Sequence, residues 1–314
     1  MISIITPAFN ERTNLPVLYA RLVAALGHTD WEWIVVDDHS RDDTFAVVEG
    51  LAASDARIRG FRLARNSGSH AAITCGLRQA RGAAAALVVS DLQDPPELLA
   101  QMLERWRRGT QVVWAVRRRQ PGEPHHAWFA SLYYWILRRL VGLTDMPPTG
   151  VDYFLIDRVV IDAFCAAADR HVSVFALLMW LGFRREFIEY DKQPRVSGQS
   201  GWTVARKIKL VVDSVVGFSE RPIWWCLYAG GGLMAAALVP LVAAVVTYPG
   251  LAAGLWLLAA LVIGLSGFQL VALSIVGQYV WRALDEARGR PLYAIEASIG
   301  RTGVPAAHAG SGRQ

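Results

Sequence analysis

The sequence predicts an α/β domain with a mostly parallel β-sheet, followed by interfacial helices and two C-terminal transmembrane helices. In the amino-terminal third, short β-branched runs alternate with segments of helical spacing, as in βαβ units. Further along, the 60 residues 222–281 contain no Asp, Glu, Lys, Arg or His. As one helix this stretch would be about 90 Å long, against a bilayer core of about 30 Å, so it is expected to cross twice.

The composition excludes two classes of protein. Of the 314 residues, 53% are hydrophobic and 19% are charged. The mean hydropathy of +0.27 is too high for an ordinary soluble enzyme, and the ordinary composition before residue 222 excludes a polytopic carrier. The net charge of +5 comes with basic residues clustered beside the apolar stretch, which favours a membrane surface over nucleic acid. The alternative is that these basic residues are scattered over a solvated protein surface and bind no partner.

Five strands and four helices are predicted from the periodicity of apolar residues. The strands are Met1–Pro7, Glu32–Asp38, Ile58–Leu63, Ala84–Val89 and Gln111–Val116. The helices are Asn14–Leu26, Thr44–Ala53, Ala71–Ala80 and Pro96–Arg108. Because ligands of such sheets bind beyond the carboxyl ends of the strands, the acidic residues that follow the strands are the candidate site.

The rest of the chain is predicted to associate with a bilayer. The aromatic segment 122–145 is either an interfacial helix or a buried core helix, and Thr203–Gly217 is expected to be a basic interfacial helix. Residues 247–250 divide the apolar stretch into the spans Ile223–Val246 and Leu251–Val276. Since basic residues lie only on the outer flanks, both termini are expected to be cytoplasmic.

Four parts of the chain follow from this reading. They are a cytoplasmic domain (1–202), a juxtamembrane amphipathic helix (203–221), a transmembrane hairpin (222–281) and a cytoplasmic tail (282–314) with a disordered end. No signal peptide is expected, and the three cysteines are expected to be reduced thiols. The expected location is the cytoplasmic (inner) membrane. The oligomeric state stays open, with a homo-oligomer as one alternative.

An acidic run follows the fourth predicted strand: Ser90-Asp91-Leu92-Gln93-Asp94-Pro95-Pro96-Glu97. Asp91 and Gln93 are alternate residues and can reach one metal ion. A divalent metal held by one or two carboxylates stabilises the charge of a departing diphosphate and takes its other ligands from phosphate and water. Alternatively, Asp94 is a helix cap and Asp91 a turn residue.

Together with this run, two other strand ends resemble the family 2 glycosyltransferases of the GT-A fold. They are Thr6-Pro-Ala-Phe-Asn-Glu11 and Val35-Val-Asp-Asp-His-Ser40. Three further segments resemble the polyprenyl-phosphate glycosyltransferases, the relatives of bactoprenol glucosyltransferase and dolichol-phosphate mannosyltransferase: Arg65-Asn-Ser-Gly-Ser-His-Ala-Ala72, Gly277-Gln-Tyr279 and Gly289-Arg-Pro-Leu-Tyr293. The similarity covers about residues 1–296. It implies a Rossmann-like GT-A catalytic domain.

The resemblance implies roles for the candidate residues. The nucleotide pocket would be lined by Pro7, Phe9, Glu11, Asp37 and Asp38. Either aspartate would accept a hydrogen bond from uracil, and the phenylalanine would pack on the base. The metal, Mg²⁺ or Mn²⁺, would be held by Asp91 and Gln93, with Asp94 as a further carboxylate.

The remaining roles concern the sugar and the acceptor. With Asp91, the implied catalytic residues are Arg117, near the diphosphate or sugar, and Asp152, at the sugar or in catalysis. Three residues match positions that members of the family use near the acceptor phosphate: Ser131, Arg195 and Ser200.

The sequence departs from the family pattern at three positions. Relatives usually carry an aspartate at Val89, an arginine at Ala127 and a lysine at Gly201. At the second and third of these positions the expected residue is positively charged, and His125, His126 or Lys207 are candidates to supply the missing positive charge. The first metal carboxylate is therefore missing, unless Asp94 substitutes for it.

The resemblance implies a metal-dependent, inverting transfer of one sugar to polyprenyl (undecaprenyl) phosphate at the cytoplasmic membrane face. The donor would be a nucleotide sugar, UDP-glucose or a similar compound. Its partners would be the donor, the lipid acceptor and the bilayer, with no nucleic acid. The alternative is a catalytically impaired GT-A-like membrane scaffold or binding module.

Overall fold

The computed structural model describes residues 1–27, 29–118, 151, 153–167, 173–191 and 251–300, with short segments within 135–147 and 223–235. Its strands are β1 (Ile2–Ala8), β2 (Trp31–Asp37), β3 (Ile58–Leu63), β4 (Ala84–Leu87), β5 (Val112–Arg117), β6 (Tyr153–Asp157), β7 (Arg185–Tyr190) and β8 (Ile295–Ile299). Its helices are α1 (Asn14–Leu26), α2 (Thr44–Ser54), α3 (Ser69–Gln79), α4 (Leu98–Arg107), α5 (Arg158–Ala167), α6 (Val174–Trp180) and α7 (Leu251–Ala287).

The strands form one mixed sheet in the order β7-β5-β6-β4-β1-β2-β3-β8. The central strands β4, β1, β2 and β3 are parallel, while β6 runs antiparallel to both β4 and β5, and β8 runs antiparallel to β3. Every residue of β2 is buried, as expected for a strand with both faces covered. The predicted α/β class is confirmed, and all nine predicted elements occur within a few residues of their expected bounds.

The structure corrects the prediction of transmembrane helices. Among the residues described, no helix is both long enough and apolar enough to cross a membrane. The prediction of two spans was therefore wrong, and with it the predicted location as a two-span membrane protein. It relied on the absence of charge in 222–281, but absence of charge does not fix where a helix ends. The second predicted span is the beginning of α7, which continues for eleven residues past Val276 into a segment containing Arg282 and Asp285.

Several other predicted segments lie outside the described residues. They are most of 122–145, all of Thr203–Gly217 and most of the first predicted span. The domain boundary at residue 202 stays a prediction for the same reason.

The chain returns to the sheet after α7. Ala64 donates its backbone N–H to the carbonyl of Ala294 at 2.9 Å, and β8 then pairs with β3 at the sheet edge. The guanidinium of Arg78 on α3 lies 6.0 Å from the ring centre of Tyr293. The segment predicted as a tail thus contributes a strand to the α/β sheet.

The close approach of α3 to β1 requires a glycine. A Cβ atom at Gly76 would lie 2.3 Å from Cγ2 of Ile5, whereas one at Gly50, on the exposed side of α2, would meet nothing within 4 Å. We therefore expect Gly76→Ala to lower the free energy of unfolding by about 1–3 kcal/mol through overpacking. Gly50→Ala should be neutral or raise it by up to about 1 kcal/mol, because alanine favours the helix.

Urea unfolding followed by tryptophan fluorescence measures both variants. Equal stability of the two would contradict the close packing of α3 on β1.

Candidate functional site

Three strand ends share an unusual backbone conformation. Asn10 after β1, His39 after β2 and Leu92 after β4 have φ values of 59°, 58° and 61°, and they are the non-glycine residues of the described chain with positive φ. Such a conformation costs about 1–3 kcal/mol and is concentrated at functional sites. Because β1, β2 and β4 are adjacent and parallel, all three residues lie at one edge of the sheet. This carboxyl edge is the candidate active site.

Asp38 joins three segments at this edge. Its carboxylate accepts backbone N–H groups from Ser67 at 2.6 Å and Gly68 at 2.8 Å, and its own N–H donates to the carbonyl of Ala8 at 2.8 Å. Gly68 has φ of 92°, a backbone conformation that favours glycine. Burial raises the pKa of Asp38, and these two hydrogen bonds oppose the rise.

A second chain of hydrogen bonds fixes the loops after β1 and β2. The fully buried Asp37 accepts the N–H of Ser40 at 3.0 Å, and the hydroxyl of Ser40 accepts the N–H of Asn10 at 2.9 Å. The side-chain carbonyl of Asn10 accepts the N–H of Arg41 at 2.9 Å. These hydrogen bonds connect the loops after β1 and β2 to each other.

The end of β1 presents an aromatic ring beside these polar groups. Phe9 is 41% exposed, which is high for a large apolar side chain at the end of a buried strand. Glu11 is anchored, since its N–H donates to Thr44 Oγ1 at 2.8 Å and its carboxylate accepts the Asn14 amide at 2.6 Å. An exposed ring next to fixed acceptors can stack against a flat heterocycle.

The acidic run after β4 separates its two aspartates. Asp91 is half-buried and accepts the N–H of Gln93 at 3.2 Å, so it is a turn residue at the edge. Asp94 is 1% exposed and accepts a short hydrogen bond from the hydroxyl of Tyr190 at the end of β7. The run is tied to β1 by the Ser90 hydroxyl, which donates to the carbonyl of Pro7 at 3.2 Å. The two aspartates thus have different environments.

These residues fit a metal held mainly by a bound diphosphate. Within the described part of the chain, no three His, Cys, Asp or Glu side chains are grouped so that they could hold a metal. Magnesium-type ions, however, usually take one or two protein carboxylates and fill the other positions with phosphate and water. Asp91, with Gln93 two residues away, satisfies that smaller requirement.

The other predicted site residues divide into two groups. Arg117 ends β5 and is half-buried; because β6 is antiparallel to both β4 and β5, Arg117 lies at the same edge as Asp91. Outside the described residues lie Ser131, Asp152, Arg195 and Ser200, whose roles remain predictions.

Three polar residues at this edge were missed by sequence reasoning. Arg62 donates to the carbonyl of Ser40 at 3.2 Å, and its position one residue before the end of β3 could have signalled it. Tyr190, at the end of β7, and Glu296, in β8, belong to strands that were not predicted.

His70 directly follows the loop whose backbone N–H groups donate to Asp38. It occupies the first turn of α3, packs edge-on against Phe175 with ring centres 6.0 Å apart, and its Nδ1 accepts the N–H of Val174 at 3.4 Å. Burial lowers the pKa of His70 to about 4. The folded protein therefore holds a neutral imidazole.

Comparison with known protein families gives a consistent match. The family described as glycosyl transferase family 2 matches residues 3–164. An uncharacterized glycosyltransferase of Synechocystis sp. is 32% identical over 304 residues, covering 94% of each chain.

Two further relatives carry more specific names. The undecaprenyl-phosphate 4-deoxy-4-formamido-L-arabinose transferase of Pseudomonas fluorescens is 30% identical, covering 94% of this chain and 89% of its own. The SfII prophage-derived bactoprenol glucosyl transferase of Shigella flexneri is 27% identical, covering 95% and 98%.

Among solved structures, glucosyl-3-phosphoglycerate synthase from Mycobacterium tuberculosis, in complex with Mn²⁺, UDP-glucose and phosphoglyceric acid, aligns with a TM-score of 0.50. The identity is 14%, and the alignment covers 69% of this chain and 79% of that one. At this identity the likeness concerns the fold alone.

The neutral His70 predicts a loss of stability in mild acid. Its folded pKa lies below the ordinary value of about 6.5, so the unfolded chain takes up a proton that the folded chain excludes. Its contribution is present above pH 6.5 and is lost as pH falls toward about 4. Between pH 7 and pH 5, we expect wild type to lose about 1–2 kcal/mol more than His70→Gln. Urea unfolding at both pH values measures this, and equal losses would contradict the burial of a neutral imidazole.

Proposed function

The chain belongs to glycosyl transferase family 2, and on that basis we propose that it transfers one sugar from a UDP-sugar to a polyprenyl phosphate. The observation that carries the proposal is the carboxyl edge itself, where an exposed phenylalanine, two buried aspartates and a half-buried aspartate converge. This arrangement suits a nucleoside diphosphate, with its base, its diphosphate and a metal in that order along the edge. The edge is also where ligands of parallel α/β sheets bind.

The donor half of the proposal is supported by the loops after β1 and β2. Phe9 is exposed for stacking on a base, and Asp37 and Asp38 lie beside it with their positions fixed by hydrogen bonds. Carboxylate oxygens accept N–H donors such as that of uracil. Asp91 follows β4, on the other side of β1 from Asp37 and Asp38, and the hydroxyl of the neighbouring Ser90 donates to the carbonyl of Pro7 in β1.

The acceptor half is supported by the relatives. Two relatives that align over nearly their whole length are named for different sugars but for related acceptors, undecaprenyl phosphate and bactoprenol. A shared acceptor class with different sugars is the expected result if the donor loops vary and the acceptor site does not. We therefore assign polyprenyl phosphate as the acceptor. The sugar is to be identified by a transfer assay with several sugar nucleotides.

The chemistry follows from the charges of the two substrates. An acceptor phosphate oxygen attacks the anomeric carbon, forming a new C–O bond, while the bond to the UDP oxygen breaks and UDP leaves with both electrons. The acceptor phosphate is already ionised at neutral pH, so no strong general base is required. Arg117 at the end of β5 would stabilise the leaving diphosphate, and a bound Mg²⁺ or Mn²⁺ would supply further positive charge there.

A non-catalytic scaffold is the second candidate, favoured by two observations. Val89 replaces a carboxylate that relatives usually carry, and Asp94 is buried against Tyr190 rather than exposed at the edge. Transfer activity decides between the two candidates.

The direct test is a radiolabelled transfer assay with the full chain, undecaprenyl phosphate and a panel of sugar nucleotides. We expect labelled lipid from a UDP-sugar in the presence of Mn²⁺ or Mg²⁺, and none when EDTA is added. Binding of UDP without any transfer would support the scaffold. Transfer from a GDP- or CMP-sugar alone would overturn the donor assignment.

The acidic run offers a matched pair of variants for this assay. We expect Asp91→Asn to lower kcat by about 10²-fold or more, because the carboxylate at the edge holds the metal and diphosphate. Glu97→Gln should stay within about twofold of wild type, because Glu97 forms an exposed ion pair with Arg21 at 2.9 Å. Both variants must keep the wild-type unfolding midpoint. Equal activity of the two would remove Asp91 from the catalytic site.

A further inference from the structure

The residues of the acidic run alternate between the core and the carboxyl edge. Leu92 and Asp94 are buried, with 4% and 1% exposure, whereas Asp91 and Gln93 are half-buried. Leu92 has φ of 61°, a conformation that costs free energy in residues other than glycine and persists only where the surroundings hold it. Before the turn, the hydroxyl of Ser90 donates to the backbone of β1 at 3.2 Å. The turn that presents Asp91 and Gln93 at the edge therefore requires a second support after it.

Two tyrosines supply that support. The hydroxyl of Tyr190 donates to Oδ1 of Asp94, and the hydroxyl of Tyr153 donates to the carbonyl of Pro95 at 3.1 Å. The two rings pack edge-on with their centres 5.6 Å apart. Tyr190, the last residue of β7, is paired with Arg117 in β5, and Tyr153 is the first residue of the antiparallel β6, so both lie at the carboxyl edge. Strands β6 and β7 thus hold the segment that follows β4.

The burial of Asp94 distinguishes it from a ligand of a diphosphate-bound metal. Such a metal takes its remaining ligands from phosphate and water, so its protein ligands must be within reach of both. Asp91 meets this condition at the edge, whereas Asp94 is enclosed in the protein with the Tyr190 hydroxyl. Breaking a hydrogen bond between two buried groups is costly, because neither group can turn to water instead. This contact therefore fixes the point at which the turn ends.

We propose that Asp94 and Tyr190 are a positioning pair and that Asp94 is not a ligand of the metal. Their hydrogen bond fixes the end of the turn and so directs Asp91 and Gln93 toward the diphosphate of the donor. The inference rests on the proposed function, which sets the diphosphate and its metal beside Asp91. The carboxylate missing at Val89 is then not replaced by Asp94, and Asp91 is the carboxylate of the metal site.

The test measures the UDP affinity of the full chain by calorimetry, once with Mn²⁺ and once with EDTA. The ratio of the affinity with Mn²⁺ to the affinity with EDTA reports on the metal site, because the contacts of the base are the same in both conditions. Tyr190→Phe removes one hydroxyl and keeps the ring. We expect it to lower this ratio about three- to tenfold and to change the affinity in EDTA by less than about twofold.

Tyr19→Phe is the matched control, because Tyr19 on α1 also donates its hydroxyl to an aspartate, Asp55, at 2.7 Å. Asp55 precedes β3, so this hydrogen bond lies at the opposite edge of the sheet from the proposed donor site. Its loss should change neither affinity by more than about twofold, because the two sites are distant. The thermal unfolding midpoint checks the fold of each variant.

Two substitutions of Asp94 separate positioning from metal binding. Asp94→Ala removes the acceptor of the Tyr190 hydroxyl and should lower the ratio as much as Tyr190→Phe does. Asp94→Asn removes the charge but keeps an oxygen that can accept this hydrogen bond, so it should recover most of the ratio, whereas Asp91→Asn should abolish the effect of Mn²⁺. Asp94→Ala in a Tyr190→Phe background should lower the ratio no further, because the same hydrogen bond is already lost.

Five results would overturn the proposal in distinguishable ways. A wild-type ratio in Tyr190→Phe removes the positioning role, and an equal loss with Mn²⁺ and with EDTA makes Tyr190 structural. An Asp94→Asn variant that loses as much as Asp91→Asn makes Asp94 a metal ligand. Additive losses in the double variant exclude a shared hydrogen bond as the cause. Wild-type protein whose UDP affinity is the same with Mn²⁺ and with EDTA contradicts the proposed metal-dependent donor site, and the positioning pair with it.

Discussion

The carboxylate of Asp38 is the constraint on which the candidate site depends. Two strands and the loop before α3 meet at this side chain, because it accepts the N–H groups of Ser67 and Gly68 while its own N–H is bonded to β1. Burial raises the pKa of Asp38, and the two backbone donors oppose that rise. These hydrogen bonds hold the end of β1, the loop after β2 and the loop before α3 together at the edge.

The rest of the edge is organised around that point as a series of acceptors with different surroundings. Asp37 is fully buried and accepts the N–H of Ser40, Asp91 is half-buried at the edge, and the buried Asp94 accepts the hydroxyl of Tyr190. The strained backbone at Asn10, His39 and Leu92 turns each loop sharply at the strand end. Carboxylates that are close together at one edge of the sheet therefore differ in burial and in hydrogen-bond partners.

The central sheet and much of the candidate site could be predicted from sequence because their signals are local. Buried parallel strands are continuous apolar runs, and the rule that ligands bind at carboxyl ends led directly to Asp38 and Asp91. The pairing of β8 was not predictable in this way, because a short, partly charged strand receives its partner from residues more than 200 positions away. The burial of Asp94 was missed because it depends on Tyr190, in another unpredicted strand. The predicted membrane spans were wrong because a charge-free run does not determine the bounds or the character of the helix that contains it.

Hydrogen–deuterium exchange of the full chain, with and without UDP and Mn²⁺, tests the central claim most directly. The account predicts slower exchange in peptides covering residues 8–14, 37–42, 65–70 and 89–95, which are the four segments at the carboxyl edge. Peptides at the opposite edge, around residues 55–58 and 80–84, should be unchanged. Protection confined to the opposite edge or to α7, in a sample where UDP binding is established, would contradict the account.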